Sequence, residues 1–487
     1  MSNFEQSPWG QLKPESFWRH FYALTQIPRP SKDEGKVADY LIDFAKKNNL
    51  ECKKDAIGNV LIAKKGTAGY ENSQIVILQS HMDMVCEKNN DVDFDFDTQA
   101  LKIGVKGDFV YAEGTSLGAD NGAGIAASLA VLEDNSAVHP PLECLFTMDE
   151  ETGMTGAKEM EKGFIKGRQL LNLDSEAEGD IYIGCAGGID NRLAYTPEFE
   201  TPSLPNAVKI TLKGLKGGHS GLEINQGRAN AIKLLSRFLV NMKDEGIKWA
   251  LASFDGGNKR NAIPREAEAV IFFEDKSALV KSAEKWKSVF TDEFKGIENS
   301  VEIVIGEPEK SFERVLTQKS SNLLLNAISV LHHGVVRMDH NLEDLVESSS
   351  NLAIIKFDGS KFNFEISHRS STASVKMAIS RRTQALAEVL GFEYSKGEGY
   401  PGWQPNMESR LLRVAKEEYK KLYNKEINVK AIHAGLECGL IMEQYPGLDA
   451  VSFGPNLAGV HSPDETMQIS SVPLFYNFLL VYLKGLK

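Results

Sequence analysis

Three short apolar runs in the first part of the chain each stop abruptly at residues able to carry charge or bind a metal. Ile75 to Leu78 leads to His81 and Asp83, Leu142 to Met148 to Asp149-Glu150-Glu151, and Gln169 to Leu173 to Asp174. Asn59 to Ala63 is a fourth run of the same kind. Short apolar runs alternating with helical stretches are the pattern of α/β units around a mixed, mostly parallel sheet. Polar residues just beyond the carboxyl ends of such strands line the crevice where open α/β sheets bind ligands. The chemistry of this chain is therefore expected at strand ends.

Composition narrows the classes. The chain has 487 residues, 42% apolar and 25% charged, enough for two to four domains of about 100 to 200 residues and unlike disordered or coiled-coil sequences. A formal charge of −12 repels phosphate backbones and anionic lipid, so neither nucleic acid nor a membrane surface is an expected partner. The late apolar stretch Val472 to Leu483 is interrupted by Pro473 and Asn477 and falls short of the roughly 20 residues that span a bilayer. It reads as a core helix. No basic, apolar leader opens the sequence, which points to the cytoplasm. The five cysteines are scattered and never spaced Cys-x-x-Cys, so neither a disulfide framework nor a thiolate zinc site is expected.

Pro202 and Pro205 bracket a turn, after which the pattern changes until about residue 395. Strands at Val208 to Leu212 and Ala267 to Phe273 alternate with helices at Arg228 to Met242 and Ala278 to Phe290. The order roughly recurs in the strand Val301 to Ile305, the helix Asn322 to Leu331, the strands Leu352 to Phe357 and Phe362 to Ser367, and the helix Ala373 to Leu390. Strands near Asn428 to Ile432 and Ala450 to Phe453 return to the first pattern. The expected organisation is a discontinuous domain, 1–204 and 396–487, interrupted by an α+β insert of two similar halves at 205–395.

Each candidate residue has a bland reading by itself. His81 and Asp83, at i and i+2 on extended backbone, point to one face, and by itself such a strand-end pair is more often structural than metal-binding. Gly114 to Gly124 opens an apolar helix but holds no lysine, which excludes a phosphate loop. Its glycines leave Asp120 projecting at a tight turn, where it could equally be a helix cap. Asp149-Glu150-Glu151 could be a solvated acidic loop, or one glutamate could ligate while the other holds a water. Together His81, Asp120, Glu151, Asp174 and His461 form a two-histidine, three-carboxylate set suited to a pair of zinc or manganese ions. Asp91, Asp93, Asp95 and Asp97 mimic the start of a calcium loop, but Phe96 and Lys102 occupy the positions of its glycine and glutamate. An exposed acidic strand is expected there, and His332-His333 is expected to mark a helix end. His-Glu-x-x-His is absent from the sequence, against zincin proteases.

Ser80-His81-Met82-Asp83, Gly118-Ala119-Asp120-Asn121-Gly122, Asp149-Glu150-Glu151-Thr152-Gly153, Asn172-Leu173-Asp174 and Gly454-Pro455-Asn456 through His461-Ser462-Pro463 occur in the order seen in co-catalytic zinc aminopeptidase-like hydrolases. Gly217-Gly218-His219-Ser220-Gly221, Asn261-Ala262-Ile263-Pro264 and Ser348-Ser349-Ser350-Asn351-Leu352 extend the match. Over nearly its whole length the chain resembles the bacterial aminoacyl-histidine dipeptidases. The resemblance implies a zinc-peptidase fold with a lid, and Asp120 bridging two divalent ions, zinc first and manganese or cobalt as alternatives. His81 and Asp174 would hold one ion, Glu151 and His461 the other. Glu150 would be the general base and Asp83 the orienter of His81. The Asp120-Asn121 peptide would be cis. His219 would assist the substrate carbonyl, and Arg369 with Asn261 would anchor the substrate carboxylate. The implied activity is that of a cytosolic, homodimeric metallo-dipeptidase cleaving unblocked dipeptides, notably Xaa-His, by attack of a hydroxide held between the metals. A deacylase for N-acyl amino acids would share this centre. A non-catalytic metal binder would not need Glu150, and a two-metal phosphoesterase would need an Arg or Lys cluster that the insert lacks.

Overall fold

The computed structural model describes residues 2–487. The chain forms two compact units. One comprises the residues up to Gly184 with Pro405–Ala431 and Leu436–Lys487; the other comprises Cys185–Gln404 with Ile432–Gly435. Residues 185–204 go with the second unit because the strand Gly187–Tyr195 pairs there with Phe362–Ser370 on one side and Glu393–Tyr400 on the other.

The first unit is built on an eight-stranded sheet in the order Glu51–Lys54, Val60–Lys64, Leu142–Thr147, Val76–His81, Gln169–Asn172, Asp449–Ser452, Asp180–Cys185 and Asn428–Ile432. The four middle strands of that order run parallel, with His81 opposite Thr147, Gln79 opposite Asn172, and Ser452 opposite Asn172. Their near-continuous burial is the signature of a parallel sheet covered on both faces. One covering helix, Ala119–Glu133, is buried all round from Asn121 to Leu132, as expected of a helix without a polar face. The late apolar stretch lies in the helix Ser471–Gly485, which packs against Arg410–Tyr423. No helix among the described residues is long and apolar enough to cross a membrane.

The second unit is a nine-stranded sheet, and its two halves are joined where Gly256 pairs with Ile355. In the first half, alternate residues Val208, Ile210 and Leu212 of Asn206–Lys213 are buried in the core that also takes Ile232, Leu235, Phe238, Leu239 and Met242 of the helix Ala231–Asp244. Asn230 caps that helix by accepting from the Ile232 and Lys233 amides.

Two expectations change. The strand expected from Leu352 begins at Val346, because the serines ahead of it are buried with partners. Ser349 Oγ lies 2.7 Å from His433 Nε2, Ser350 Oγ 2.9 Å from His368 Nδ1, and Ser348 Oγ donates to Glu347 Oε1 at 2.7 Å. Residues 91–97 are a loop, not a strand: Asp95 accepts from the Asp97 amide and from Thr98, and Phe94 is buried.

His368 and His433 are almost fully buried. Burial lowers both to about 3, helped by the charge of Arg382 at His368 and of Arg369 at His433. Each therefore stays neutral in the folded chain and takes up a proton on unfolding below its ordinary pKa of about 6.5. The stability this confers is complete above pH 6.5 and lost as pH falls toward 3. In chelator, urea denaturation between about pH 7 and pH 5 should cost the native chain about 2 kcal/mol more than His368→Gln. Equal losses would contradict a neutral buried imidazole.

Candidate metal centre

Four parallel strands deliver the centre, because their carboxyl ends lie in register. His81 ends one, Glu150 and Glu151 follow the next after a turn, Asp174 follows the third, and the loop after Asp449–Ser452 carries His461. Asp120 comes from the break at the start of the buried helix, where the Asp120-Asn121 peptide is cis and the backbone of both residues is non-helical. The glycines beside it allow close packing. A Cβ on Gly118, whose φ is +69°, would lie 2.5 Å from Arg29 Nη2, and one on Gly124 would lie 2.8 Å from the Leu173 carbonyl oxygen.

The two oxygens of Asp120 face different histidines. Oδ1 is 2.9 Å from His81 Nε2, and Oδ2 is 3.2 Å from His461 Nε2. His81 Nε2 also lies 3.3 Å from Asp174 Oδ1, and His461 Nε2 lies 3.1 Å from Glu151 Oε2. Ligand atoms of His81, Asp120 and Asp174 fall within 4.8 Å of one another, as do those of Asp120, Glu151 and His461, and of His81, Glu150 and Glu151. All seven expected residues of the first unit thus meet, with Asp83 Oδ1 3.3 Å from His81 Nδ1.

Crowded acids set the electrostatics. Burial alone would lower His81, but the carboxylates of Asp174, Asp120 and Asp83 outweigh it and raise it well above the usual range. Hydrogen bonds to Asp120 and Glu151 raise His461 to about 11. Burial raises Glu150 and Asp174, reinforced by neighbouring carboxylates. Burial also opposes the charge on Asp83, yet His81, the Glu150 amide and Ser31 hold it at about 2. These residues fit divalent cations. Glu151 Oε1 is buried with no hydrogen-bond partner among the described residues, a costly state for a carboxylate oxygen unless positive charge sits against it. The set is nitrogen and oxygen donors of the kind zinc and manganese accept.

Further contacts hold this arrangement. Asp83 accepts the Glu150 amide on Oδ1 at 3.0 Å, and on Oδ2 the Glu151 amide at 3.1 Å and Ser31 Oγ at 2.8 Å. Asp149 is turned inward, where the hydroxyls of Thr152 and Thr155 donate to it, so it is not a ligand. Just inside the ligands, each parallel strand contributes one polar side chain to a buried belt. Gln79 Nε2 and Thr147 Oγ1 both donate to Glu437 Oε2 at 2.6 Å, Asn172 Nδ2 donates to Gln79 Oε1 at 2.6 Å, and Ser452 donates to Asn172. The only signal in the sequence was polar residues, Gln79 and Asn172, inside apolar strands.

His219, Asn261 and Arg369 belong to the second unit. His219 is followed by a turn in which the Gly221 and Leu222 amides donate to its Nδ1 at 3.3 and 3.1 Å. Burial and the charge of Arg369 lower it to about 4. It is a neutral imidazole with its proton on Nε2. Arg369 Nη1 donates to Tyr400 Oη at 2.9 Å. Asn261 is exposed; its carbonyl accepts the Ser220 amide at 2.8 Å, beside the two-residue pairing of Gly218–His219 with Ala262–Ile263.

Comparison with known proteins shows the family. Residues 77–484 match peptidase family M20/M25/M40. The chain is 40% identical to the cytosol non-specific dipeptidase of Escherichia coli (strain K12), over 97% of this chain and 98% of that protein. The solved structure of aminoacylhistidine dipeptidase from Vibrio alginolyticus superposes with a TM-score of 0.89 at 38% identity, covering 99% of both chains. A tripeptidase from Staphylococcus aureus, at 18% identity with a TM-score of 0.56 over 98% of this chain and 99% of that one, shares the fold. With a family match spanning most of its length and close relatives over nearly all of it, the chain belongs to peptidase family M20/M25/M40.

Proposed function

We propose that the protein is a cytoplasmic, metal-dependent dipeptidase that cleaves unblocked dipeptides, Xaa-His among them, with two divalent ions, zinc foremost. The observation that supports this most is the Asp120 carboxylate, whose two oxygens lie 2.9 and 3.2 Å from histidines of distant segments. The names of the Escherichia coli and Vibrio alginolyticus relatives point the same way. His81 and Asp174 would hold one ion, Glu151 and His461 the other, and Asp120 both. When bound, such a pair lowers the pKa of water from about 15.7 toward neutrality and polarises the scissile carbonyl.

The remaining work falls to the chain's own groups. Glu150 takes the proton of the attacking water and returns it to the departing amine nitrogen. Asp83 keeps His81 Nε2 facing the ligand cluster and, through the two amides it accepts, sets the Glu150-Glu151 turn. In the second unit, taken as a substrate-recognition lid, neutral His219 donates its Nε2–H to the developing oxyanion. Arg369, oriented by Tyr400, and Asn261 take the single C-terminal carboxylate. An anchor for one C-terminal carboxylate would favour dipeptides over longer chains. The proposal includes a homodimer, which light scattering of the purified protein would test.

Glu150→Ala should keep both metals and lose turnover by about 100-fold or more, whereas Asp120→Ala should lose metal as well; metal analysis beside a Xaa-His assay distinguishes them. Near-native turnover in Glu150→Ala would remove it as the base. Arg369→Ala should raise KM for dipeptides by about 10- to 100-fold with a smaller change in kcat. Chelation should abolish cleavage and zinc should restore it; preference for N-acyl amino acids over dipeptides in the restored enzyme would overturn the substrate class.

A further inference from the structure

Glu465, four residues beyond His461, is 2% exposed and makes contacts unlike those of any other carboxylate near the centre. Its Oε2 accepts the Leu117 and Gly118 amides at 2.7 and 2.8 Å, and its Oε1 accepts the Ala119 and Asp120 amides at 2.7 and 3.2 Å. Four successive backbone N–H groups converging on one point form a concave anion site, made possible by the left-handed Gly118. The chain fills that site with its own carboxylate.

A buried cation braces the same loop from the other side. Arg29, 2% exposed, donates from Nη1 to the carbonyls of Met82 and Asp83 at 3.0 and 2.7 Å and from Nη2 to that of Gly118. The segment carrying His81 and Asp83 is thus tied by one guanidinium to the loop ahead of Asp120. That loop is tied by one carboxylate to the segment carrying His461. A buried charge left uncompensated is costly, so this pair of opposite charges flanking one loop is a brace whose parts depend on each other.

We propose that Glu465, backed by Arg29, is a positioning residue that presets Asp120 between the two cation positions before metal arrives. The proposal rests on the reading of Asp120 as the shared ligand. It explains how a ligand at a break in a helix, with non-helical backbone on both sides of the peptide, keeps its two oxygens directed to histidines from opposite ends of the chain. Without the brace, the amides of 117–120 would need other acceptors, and the loop would be free to leave the position that metal binding requires.

Glu465→Gln keeps the size and replaces one acceptor oxygen by an NH2 group that faces two amides. Competition for zinc against a chromogenic chelator should show its zinc affinity reduced by tenfold or more. Excess zinc should restore most turnover, and KM for a Xaa-His dipeptide should stay within a factor of two; a general loss of packing would instead lower the thermal midpoint without this split. Unchanged zinc affinity would overturn the proposal. Should the variant fail to fold, hydrogen exchange of the wild-type chain in chelator decides: slow exchange of the Leu117 to Asp120 amides without metal supports the brace, and exchange at open-chain rates overturns it. Asp120→Ala separates the two claims. If it retains zinc, the shared-ligand reading fails; if it loses zinc while Glu465→Gln does not, only the brace fails.

Discussion

Asp120 sits between two imidazoles that reach it from positions 81 and 461, and every other feature of the first unit bears on keeping that carboxylate in place. The parallel strands set where the histidine segments end, and the buried helix sets where Asp120 begins. Because the strands are in register, Gln79, Thr147, Asn172 and Ser452 form one polar belt with Glu437 beneath the ligands. A one-residue slip in any of these strands would turn its belt residue to the opposite face and leave a buried polar group unpaired. Such a belt makes register and ligand geometry the same structural fact.

The charge distribution has a direction as well. Asp120, Glu150, Glu151 and Asp174 crowd a buried volume in which the nearest positive groups are His81, His461 and Arg29. Protons on the histidines balance the acids in the chain by itself, which is why both imidazoles hold protons tightly. Metal ligation requires those imidazoles neutral. Cations and protons therefore compete for the same place, and the buried Glu151 Oε1, with no hydrogen-bond partner among the described residues, favours whichever brings more charge.

Much of this was legible in the sequence, for a physical reason. Ligands at strand ends follow short apolar runs, so His81, Glu151 and Asp174 stand out by position, and the ordered resemblance placed Asp120 and His461 with them. What escaped notice is held by contacts that leave no local trace. Arg29 lies in a Pro-rich turn and acts through backbone carbonyls, and Glu465 acts through backbone amides, so nothing in either side chain's neighbourhood announces a partner. Glu437 follows a segment with no periodic signal. The start of the strand from Val346 carries no apolar run, since Ser349 and Ser350 are buried against His433 and His368. Asp149 shows the converse, a residue in the right motif whose side chain is consumed by its own turn.

The two halves of the centre are unequally exposed. The His81 side chain is 1% exposed and that of Asp174 7%, while that of His461 is 53% exposed on a loop where its own φ is +60°. A ligand on an exposed loop in a left-handed conformation is the easier one to displace, since that backbone costs free energy unless its contacts hold it. The contacts of the His461 ring are to Asp120 and Glu151. In the proposed reading, a cation held by Glu151 and His461 would be the more accessible of the two, since the His81 and Asp174 side chains are almost fully buried.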